Sequence, residues 1–182
     1  RDWVPTEKDT SLYIRPFMIG LDPALGVHAS HHVQFIVIVC PVGAYYPEGL
    51  APVKIYVEQE DVRAVKGGTG MAKTGGNYAS SLLAQSEASA TGCDQVVFLD
   101  EKRNVEELGG MNVVFVFKDG RVVTPESDSI LEGITRDSLL QLAEDRGYTV
   151  EKRPISIDEW REGVASGDIV EVLACGTAAV VT

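Results

Sequence analysis

The sequence is poor in cysteine and in basic residues. Its three cysteines, Cys40, Cys93 and Cys175, lie far apart among 182 residues and form no C-x-x-C pair. Neither a disulfide framework nor a zinc site is therefore indicated, and a reducing cytoplasm fits best. Lys and Arg number 16 against 27 acidic residues, a net charge of -11 that disfavours nucleic acid and anionic lipid as partners. Small molecules or protein subunits are the expected partners.

Long apolar runs are also lacking. The longest extends from Val33 to Cys40, whereas a membrane-spanning helix needs about 20 apolar residues. No signal peptide is recognisable at the start, so a membrane protein is not expected. The chain begins at Arg1 without a methionine and stops at Thr182 within a strand-like run. We therefore expect it to be an internal piece of a longer polypeptide.

The composition is that of one globular body, with 45% hydrophobic and 24% charged residues and no repeat or linker. β-branched and aromatic residues predict strands, and Asp119-Gly120 predicts a hairpin turn within residues 111–125. Interspersed helices then favour an α+β fold with a mixed sheet. The predicted strands are 11–19, 32–40, 52–58, 95–100, 168–174 and 178–182.

Three helices are predicted from their end signals. The first runs from Asn77, its N-cap, to Gly92 as the stop, and the second has Thr135 as a candidate N-cap. The third begins at Ser156, whose spacing to Glu159 is that of a capping box.

Lys73 raises the first functional question. Residues 67–74, GGTGMAKT, come within one residue of the phosphate-binding P-loop. Ala72 stands where that pattern needs glycine, and Gly75-Gly76 would break the helix that a P-loop opens, so nucleotide binding is disfavoured. His28, His31 and His32 invite a metal interpretation, but their setting favours a solvated loop, and no metal site is predicted.

Lys73 can instead be a reactive amine that forms a Schiff base with a carbonyl compound. A helix N-terminus favours the neutral amine, and Gly75 and Gly76 would let the backbone pass close to a cofactor before the helix begins at Asn77. The simpler alternative is a solvated loop lysine.

Pyridoxal phosphate needs a phosphate pocket and a carboxylate for its ring nitrogen in addition to the lysine. Backbone N–H groups at Ile134 and Thr135 form one candidate anion site, and the turn at Thr177 a second. Glu107 is the candidate carboxylate. Each residue also has a simpler interpretation, as a cap, a turn residue or a surface acid.

At these residues the sequence resembles the branched-chain amino acid aminotransferases, which are fold-type IV pyridoxal phosphate enzymes, particularly those of actinobacteria. The resemblance runs essentially from end to end, and its most specific elements are K-x-G-G-N-Y and E-x-G-x-M-N, here KTGGNY and ELGGMN. It implies the large cofactor-binding domain of the D-amino acid aminotransferase-like fold, a mixed, barrel-like sheet with flanking helices. Residues near the start would include the interdomain region. The family's small N-terminal domain and the C-terminal end would be absent.

The resemblance also implies residue roles. Lys73 would be the catalytic Schiff-base lysine and proton shuttle, with Glu107 at the ring nitrogen and Arg63 and Tyr78 on the phosphate side. The implied phosphate residues are Ile134, Thr135 and Thr177. The implied substrate pocket comprises Tyr13, Arg15, Tyr45, Thr177 and Ala178, with Leu25 and Val27 reaching in from the second subunit of a homodimer.

The implied reaction is transamination between leucine, isoleucine or valine and 2-oxoglutarate, with glutamate and 2-oxo acids as the other partners. Two alternatives remain open at this stage. One is another fold-type IV activity, that of a D-amino acid aminotransferase or an aminodeoxychorismate lyase. The other is a non-catalytic cofactor-domain fragment that acts as a binding body.

Overall fold

The computed structural model describes residues 2–43, 51–178 and 180–182. The chain divides into two compact units, Arg1–Gly49 and Leu50–Thr182. No glycine-, serine- or proline-rich linker marks this division, which is why the sequence predicts a single body. Within the described residues, the two strands of the first unit pair with each other in a sheet of their own.

The first unit is a long antiparallel hairpin. Strand β1 covers Ser11–Gly20 and β2 covers Val33–Val42. They pair from Ser11 opposite Val42 to Gly20 opposite Val33. The strands predicted at 11–19 and 32–40 are confirmed, with ends that differ by one or two residues.

A carboxylate organises the histidine-rich connection between these strands. Asp22 accepts the backbone N–H groups of His31 at 2.7 Å and His32 at 3.1 Å. The ring Nδ1 of His32 also lies 2.9 Å from the same carboxylate. Across the described ranges, no group of three or more His, Cys, Asp or Glu side chains could hold a metal ion.

The second unit contains two mixed sheets. The larger sheet has the strand order β10-β9-β6-β7-β8 and the smaller has β3-β4-β5. One pair in each sheet is parallel, β7 with β8 and β3 with β4. The strands are β3 Ile55–Val57, β4 Gln95–Leu99, β5 Val105–Leu108, β6 Asn112–Phe117, β7 Arg121–Thr124, β8 Thr149–Lys152, β9 Ile169–Gly176 and β10 Val180–Val181.

These sheets confirm the predicted α+β class. Both strand orders are open, so the part of the chain that the structure describes contains no closed barrel. The strand predicted over 52–58 begins only at Ile55, because the backbone N–H of Lys54 is bonded to the Asp94 carboxylate at 2.7 Å. None of the helices in the described segments is long and apolar enough to cross a membrane.

The predicted hairpin is present between β6 and β7. Phe115 pairs with Val123 and Val116 with Val122, which leaves residues 118–120 as the turn. Gly120 has φ +89°, the left-handed conformation that such a three-residue turn requires. Phe115 is fully buried and meets the Trp160 ring edge-on at 5.1 Å, within a core cluster that both sheets share.

In the described parts of the chain, four helices flank these sheets, and two of the predicted N-caps are wrong. The first predicted helix begins at Gly75 after Thr74 as N-cap, and it is interrupted at Ser81. Gly133, not Thr135, is the N-cap of the second predicted helix. The helices are α1 Gly75–Ser80, α2 Leu82–Ala90, α3 Ile134–Asp145 and α4 Ile157–Ser166.

Other helix signals are confirmed. Gly92 has φ +79° just beyond Thr91, the C-cap of α2, and so ends that helix as predicted. Ser156 caps α4, because its Oγ accepts the backbone N–H of Glu159 at 3.0 Å.

Candidate active site

Lys73 lies in the loop that leads into α1, and it meets Tyr78 on that helix. Its Nζ is 2.7 Å from Tyr78 Oη and 5.0 Å from the centre of the tyrosine ring. The lysine side chain is exposed, so its amine is accessible. The structure therefore brings together two residues that the sequence analysis assigned to one site.

Asn77 anchors the loop before Lys73 to α1. Its side-chain amide donates to the carbonyl oxygens of Thr69 at 2.7 Å and Ala72 at 2.8 Å, and its Oδ1 accepts the Thr69 hydroxyl at 2.8 Å. Asn77 is the third residue of α1, and its side-chain oxygen accepts the Thr69 hydroxyl, so it is not the helix cap predicted from the sequence. Its place in the KTGGNY motif was the sequence signal for this positioning role.

Tyr78 also connects the lysine with the turn between β5 and β6. A Cβ added at Gly110 would lie 3.0 Å from Tyr78 Cε1, so the ring packs against that glycine. Gly110 follows Glu107 by three residues in ELGGMN. A side chain at this position would displace the ring by a few tenths of an ångström, so glycine favours the observed place of Tyr78 beside Lys73.

Glu107 is a buried carboxylate on β5, with 3% of the residue exposed. Its Oε1 accepts the backbone N–H of Leu131 at 2.7 Å. Burial raises the pKa of Glu107 above its ordinary value, while the Arg63 guanidinium and the Leu131 N–H act in the opposite direction. The charged form therefore depends on positive partners, as expected for a residue that faces a protonated ring nitrogen.

Arg63 is the nearest such partner. Its side chain is 5% exposed, and its Nε lies 3.2 Å from Glu107 Oε2. That Nε makes an ionic contact without the alignment of a hydrogen bond. A terminal nitrogen of the same guanidinium donates to the Ser129 carbonyl at 2.5 Å. Arg63 thus contacts the carboxylate predicted for the ring nitrogen, and its assignment to the phosphate side stays a prediction.

Asn112, which the sequence analysis did not single out, joins Glu107 to the start of α3. Its amide donates to the Leu131 carbonyl at 2.9 Å and, more weakly, to Glu107 Oε1 at 3.4 Å. A Cβ added at Gly133 would lie 2.1 Å from Asn112 Oδ1, so the helix N-cap lies directly against this amide. Its position as the last residue of ELGGMN was the sequence signal that could have found it.

The N-terminus of α3 is a candidate anion site. Its N-cap, Gly133, offers no side-chain hydrogen bond to the first turn, so the N–H groups of Ile134 and Thr135 are available to a ligand. The buried Arg136 adds positive charge in the same turn, and its Nε has no partner among the described residues. Ile134 and Thr135 thus stand together as predicted, and Arg136 is an addition that its burial reveals.

Thr177 and Ala178 follow β9 in an exposed turn. Cys175, two residues before Thr177, pairs with Asn112 in the sheet. A Cβ at Gly176 would lie 3.5 Å from Met111 Cγ, an ordinary van der Waals contact. This turn is therefore at the Asn112 end of β6, the end that also meets Gly133.

The remaining predicted residues belong to the first unit or to undescribed segments. A terminal guanidinium nitrogen of Arg15 donates to the Tyr13 hydroxyl, and the guanidinium carbon lies 5.1 Å from the centre of that ring. Leu25 and Val27 are fully exposed in the loop between β1 and β2. Tyr45 lies outside the described residues. The substrate roles of all five stay predictions.

Fold and site together define a class: a mixed α/β domain that combines an accessible lysine, a buried carboxylate and a helix N-terminus suited to an anion. The family model described as amino-transferase class IV matches residues 3–182. The chain belongs to this family.

The relatives are branched-chain aminotransferases. The chain is 56% identical to the branched-chain-amino-acid aminotransferase of Mycolicibacterium smegmatis over 99% of this chain and 51% of that protein. It is 54% identical to the branched-chain-amino-acid transaminase 1 of Bacillus subtilis over 100% of this chain and 52% of that protein. The chain thus spans about half the length of these curated relatives.

Solved structures show the same likeness. The branched-chain amino acid aminotransferase of T.th. with pyridoxamine 5'-phosphate superposes with a TM-score of 0.81 at 36% identity, over 94% of this chain and 55% of that one. The same enzyme complexed with N-(5'-phosphopyridoxyl)-L-glutamate gives the same TM-score of 0.81. At 36% identity, the similarity to this enzyme is one of sequence as well as of fold.

Proposed function

We propose that the full protein is a pyridoxal-phosphate-dependent aminotransferase that moves an amino group between leucine, isoleucine or valine and 2-oxoglutarate. One observation carries the proposal: contacts through Tyr78, Gly110 and Asn112 connect an accessible lysine with a buried carboxylate and an uncapped helix N-terminus. The names of the relatives support the branched-chain substrates. The ligands in the two T.th. structures support the cofactor and glutamate.

The residues fit pyridoxal phosphate. Its phosphate suits the free N–H groups of Ile134 and Thr135, supported by the Arg136 charge and the Thr177 hydroxyl. Its ring nitrogen suits Glu107, whose raised pKa calls for a positive partner. When bound, the cofactor supplies an aldehyde and a protonated ring that withdraws electrons from the substrate's α-carbon.

Lys73 is the residue proposed to carry the proton between substrate and cofactor. Its Nζ would hold the cofactor until an amino acid displaced it. The freed amine would then accept the proton from the substrate's α-carbon and pass it to the cofactor's C4′ atom. Tyr78 Oη, at 2.7 Å, would orient the amine for this role.

Glu107 keeps the ring nitrogen protonated. Burial disfavours its charged form, but Arg63 at 3.2 Å and a protonated ring nitrogen both favour it. The Leu131 N–H binds one carboxylate oxygen and so helps to fix the orientation of the carboxylate that would face the ring nitrogen. Arg63 and Glu107 thus form one electrostatic unit in the proposed mechanism.

The substrate pocket and the assembly are part of the same proposal. Arg15 orients the Tyr13 hydroxyl, and the backbone N–H of Ala178 is assigned to the substrate carboxylate. Leu25 and Val27 are exposed, as a loop that enters the pocket of a second subunit requires, so we propose a homodimer. Tyr45, which lies outside the described residues, is assigned to the same pocket by the resemblance alone. The cytoplasm is the proposed location.

Borohydride reduction of the full-length holo-protein, followed by peptide mapping, tests the lysine. We expect the pyridoxyl group on Lys73, and no labelled peptide from Lys73→Ala. Lys66→Ala is the matched control, because Lys66 is an exposed lysine in the same loop region. A label on another lysine, or none, contradicts the mechanism.

Substrate profiling tests the reaction. We expect amino transfer from L-leucine to 2-oxoglutarate and none from D-alanine. Turnover of D-alanine alone would assign the protein to the D-amino acid branch. Bound cofactor without any transfer would make it a binding body.

A further inference from the structure

Strand β5 carries two successive buried glutamates. Glu106 is 2% exposed and Glu107 is 3% exposed. Because side chains alternate along a strand, they extend to opposite faces. Glu107 faces Arg63, whereas Glu106 has no role in the proposed chemistry. A buried carboxylate is costly unless its hydrogen bonds compensate for lost hydration, so its contacts need an explanation.

Glu106 binds two hydroxyls of the segment between β7 and α3. Its Oε1 accepts the Ser127 hydroxyl at 2.8 Å and also the Ser129 hydroxyl. The two serine hydroxyls lie 2.7 Å from each other. The second carboxylate oxygen, Oε2, has no partner within the described segments. Within the described segments, every hydrogen bond that Glu106 accepts therefore comes from this one loop.

Ser129 is the point where that loop meets the site. Its carbonyl accepts the Arg63 guanidinium, which in turn lies against Glu107. A Cβ added at Gly70 would lie 2.1 Å from the same carbonyl oxygen, so the backbone leading to Lys73 rests directly on Ser129. Displacing Ser129 would therefore move the arginine and the lysine loop together.

The same loop continues to the other site elements. Leu131 donates its N–H to Glu107 and accepts the Asn112 amide. Gly133 then caps α3, the proposed phosphate site. Glu106 and Glu107 thus hold the segment Ser127–Gly133 from two faces of one strand.

We infer that Glu106 and Ser129 are positioning residues for the cofactor site: the Glu106–Ser129 hydrogen bond sets Arg63 against Glu107 and aligns the Lys73 loop with the α3 N-terminus. The inference rests on the proposed function. Each would act through the Ser129 backbone, whose carbonyl accepts the Arg63 guanidinium.

Four variants of the full-length protein test the inference. Glu106→Ala and Ser129→Ala remove the hydrogen bond from either end. Glu106→Gln retains the acceptor oxygen used by both serines and replaces only Oε2, which has no described partner. Glu126→Ala is the control, because Glu126 is an exposed acid beside Ser127.

The measurements are the dissociation constant of pyridoxal phosphate, the pH titration of the visible band of the bound cofactor, and thermal unfolding of the apo-protein. We expect Glu106→Ala and Ser129→Ala to weaken cofactor binding about tenfold, the effect of one hydrogen bond to a charged group. Both should shift the pH titration, because Glu107 is no longer held against Arg63. Glu106→Gln should restore affinity and titration, and Glu126→Ala should match the wild type.

Wild-type affinity and titration in both Glu106→Ala and Ser129→Ala would overturn the inference. So would a Glu106→Gln variant as weak as Glu106→Ala, because charge rather than hydrogen bonding would then be responsible. If Glu106→Ala fails to fold, Ser129→Ala decides, since it leaves the carboxylate in place. Failure of the wild type to bind pyridoxal phosphate would instead contradict the proposed function.

Discussion

Removing the Arg63 charge tests the electrostatics of the site most directly. Arg63→Met keeps an apolar stem of similar length but removes the guanidinium 3.2 Å from Glu107. With 5% and 3% of these side chains exposed, water cannot compensate for the lost partner. Breaking a buried pair in this way costs about 3–5 kcal/mol of unfolding free energy. We expect that loss near neutral pH, measured by urea unfolding of the apo-protein.

The stability loss caused by Arg63→Met should depend on pH, in a direction set by the pKa of Glu107. The pKa of Glu107 is already raised above 4.5 by burial, and removal of Arg63 raises it further. A carboxyl whose folded pKa is raised stabilises the protein below its unfolded pKa, and this stabilisation is lost as pH rises through the folded pKa. The Arg63→Met penalty should therefore be smaller at about pH 5 than at about pH 8, because protonated Glu107 needs no cation.

Two comparisons make the result decisive. Adding Glu107→Gln to Arg63→Met should recover part of the lost stability, because no buried charge is then left unpaired. Arg153→Met, which removes a partly exposed arginine 2.7 Å from Glu159, should cost less than about 1 kcal/mol. An equal Arg63→Met penalty at both pH values, together with additive effects in the double variant, would refute the reasoning.

Two further predictions concern packing and thiol reactivity. Gly70→Ala would place a Cβ 2.1 Å from the Ser129 carbonyl and should lower the free energy of unfolding by about 1–3 kcal/mol. Gly75→Ala, which meets nothing within 4 Å, should be neutral or stabilising in the same urea titration; equal losses would contradict the contact. Burial raises the pKa of Cys175 to about 11, so this thiol should resist alkylation near neutral pH until the protein unfolds. Exposed Cys40 should react in the native state, and rapid native labelling of Cys175 would disprove its burial.

Local signals predicted the elements whose geometry depends on neighbouring residues. Gly120 marks a turn because a three-residue hairpin needs a left-handed residue. Ser156 caps α4 because its hydroxyl reaches a backbone N–H only three residues away. The two predicted caps are wrong because both helices begin earlier than the local signals indicate: α1 begins after Thr74, and α3 begins after Gly133, which lies against Asn112.

Some residues of the candidate site could likewise be predicted from the sequence, and others could be recognised only from the structure. Lys73, Glu107, Ile134 and Thr135 could be named in advance, because motif residues are fixed by their order in the chain. Arg136 could not, since only its burial distinguishes it from other polar residues. Asn112 stands in the ELGGMN motif, but only its contacts show what it does there.

The sequence by itself determined the family pattern, the turns and the reactive residue types, which are local properties of the chain. Only the tertiary structure decided which partners face Glu107 and how Glu106 holds the loop that carries Ser129. Arg63 and Ser129 are separated by 66 positions in sequence but meet at 2.5 Å. Such contacts depend on how the sheets and loops pack. Once the groups are buried, the pairing of their charges strongly affects the free energy of unfolding.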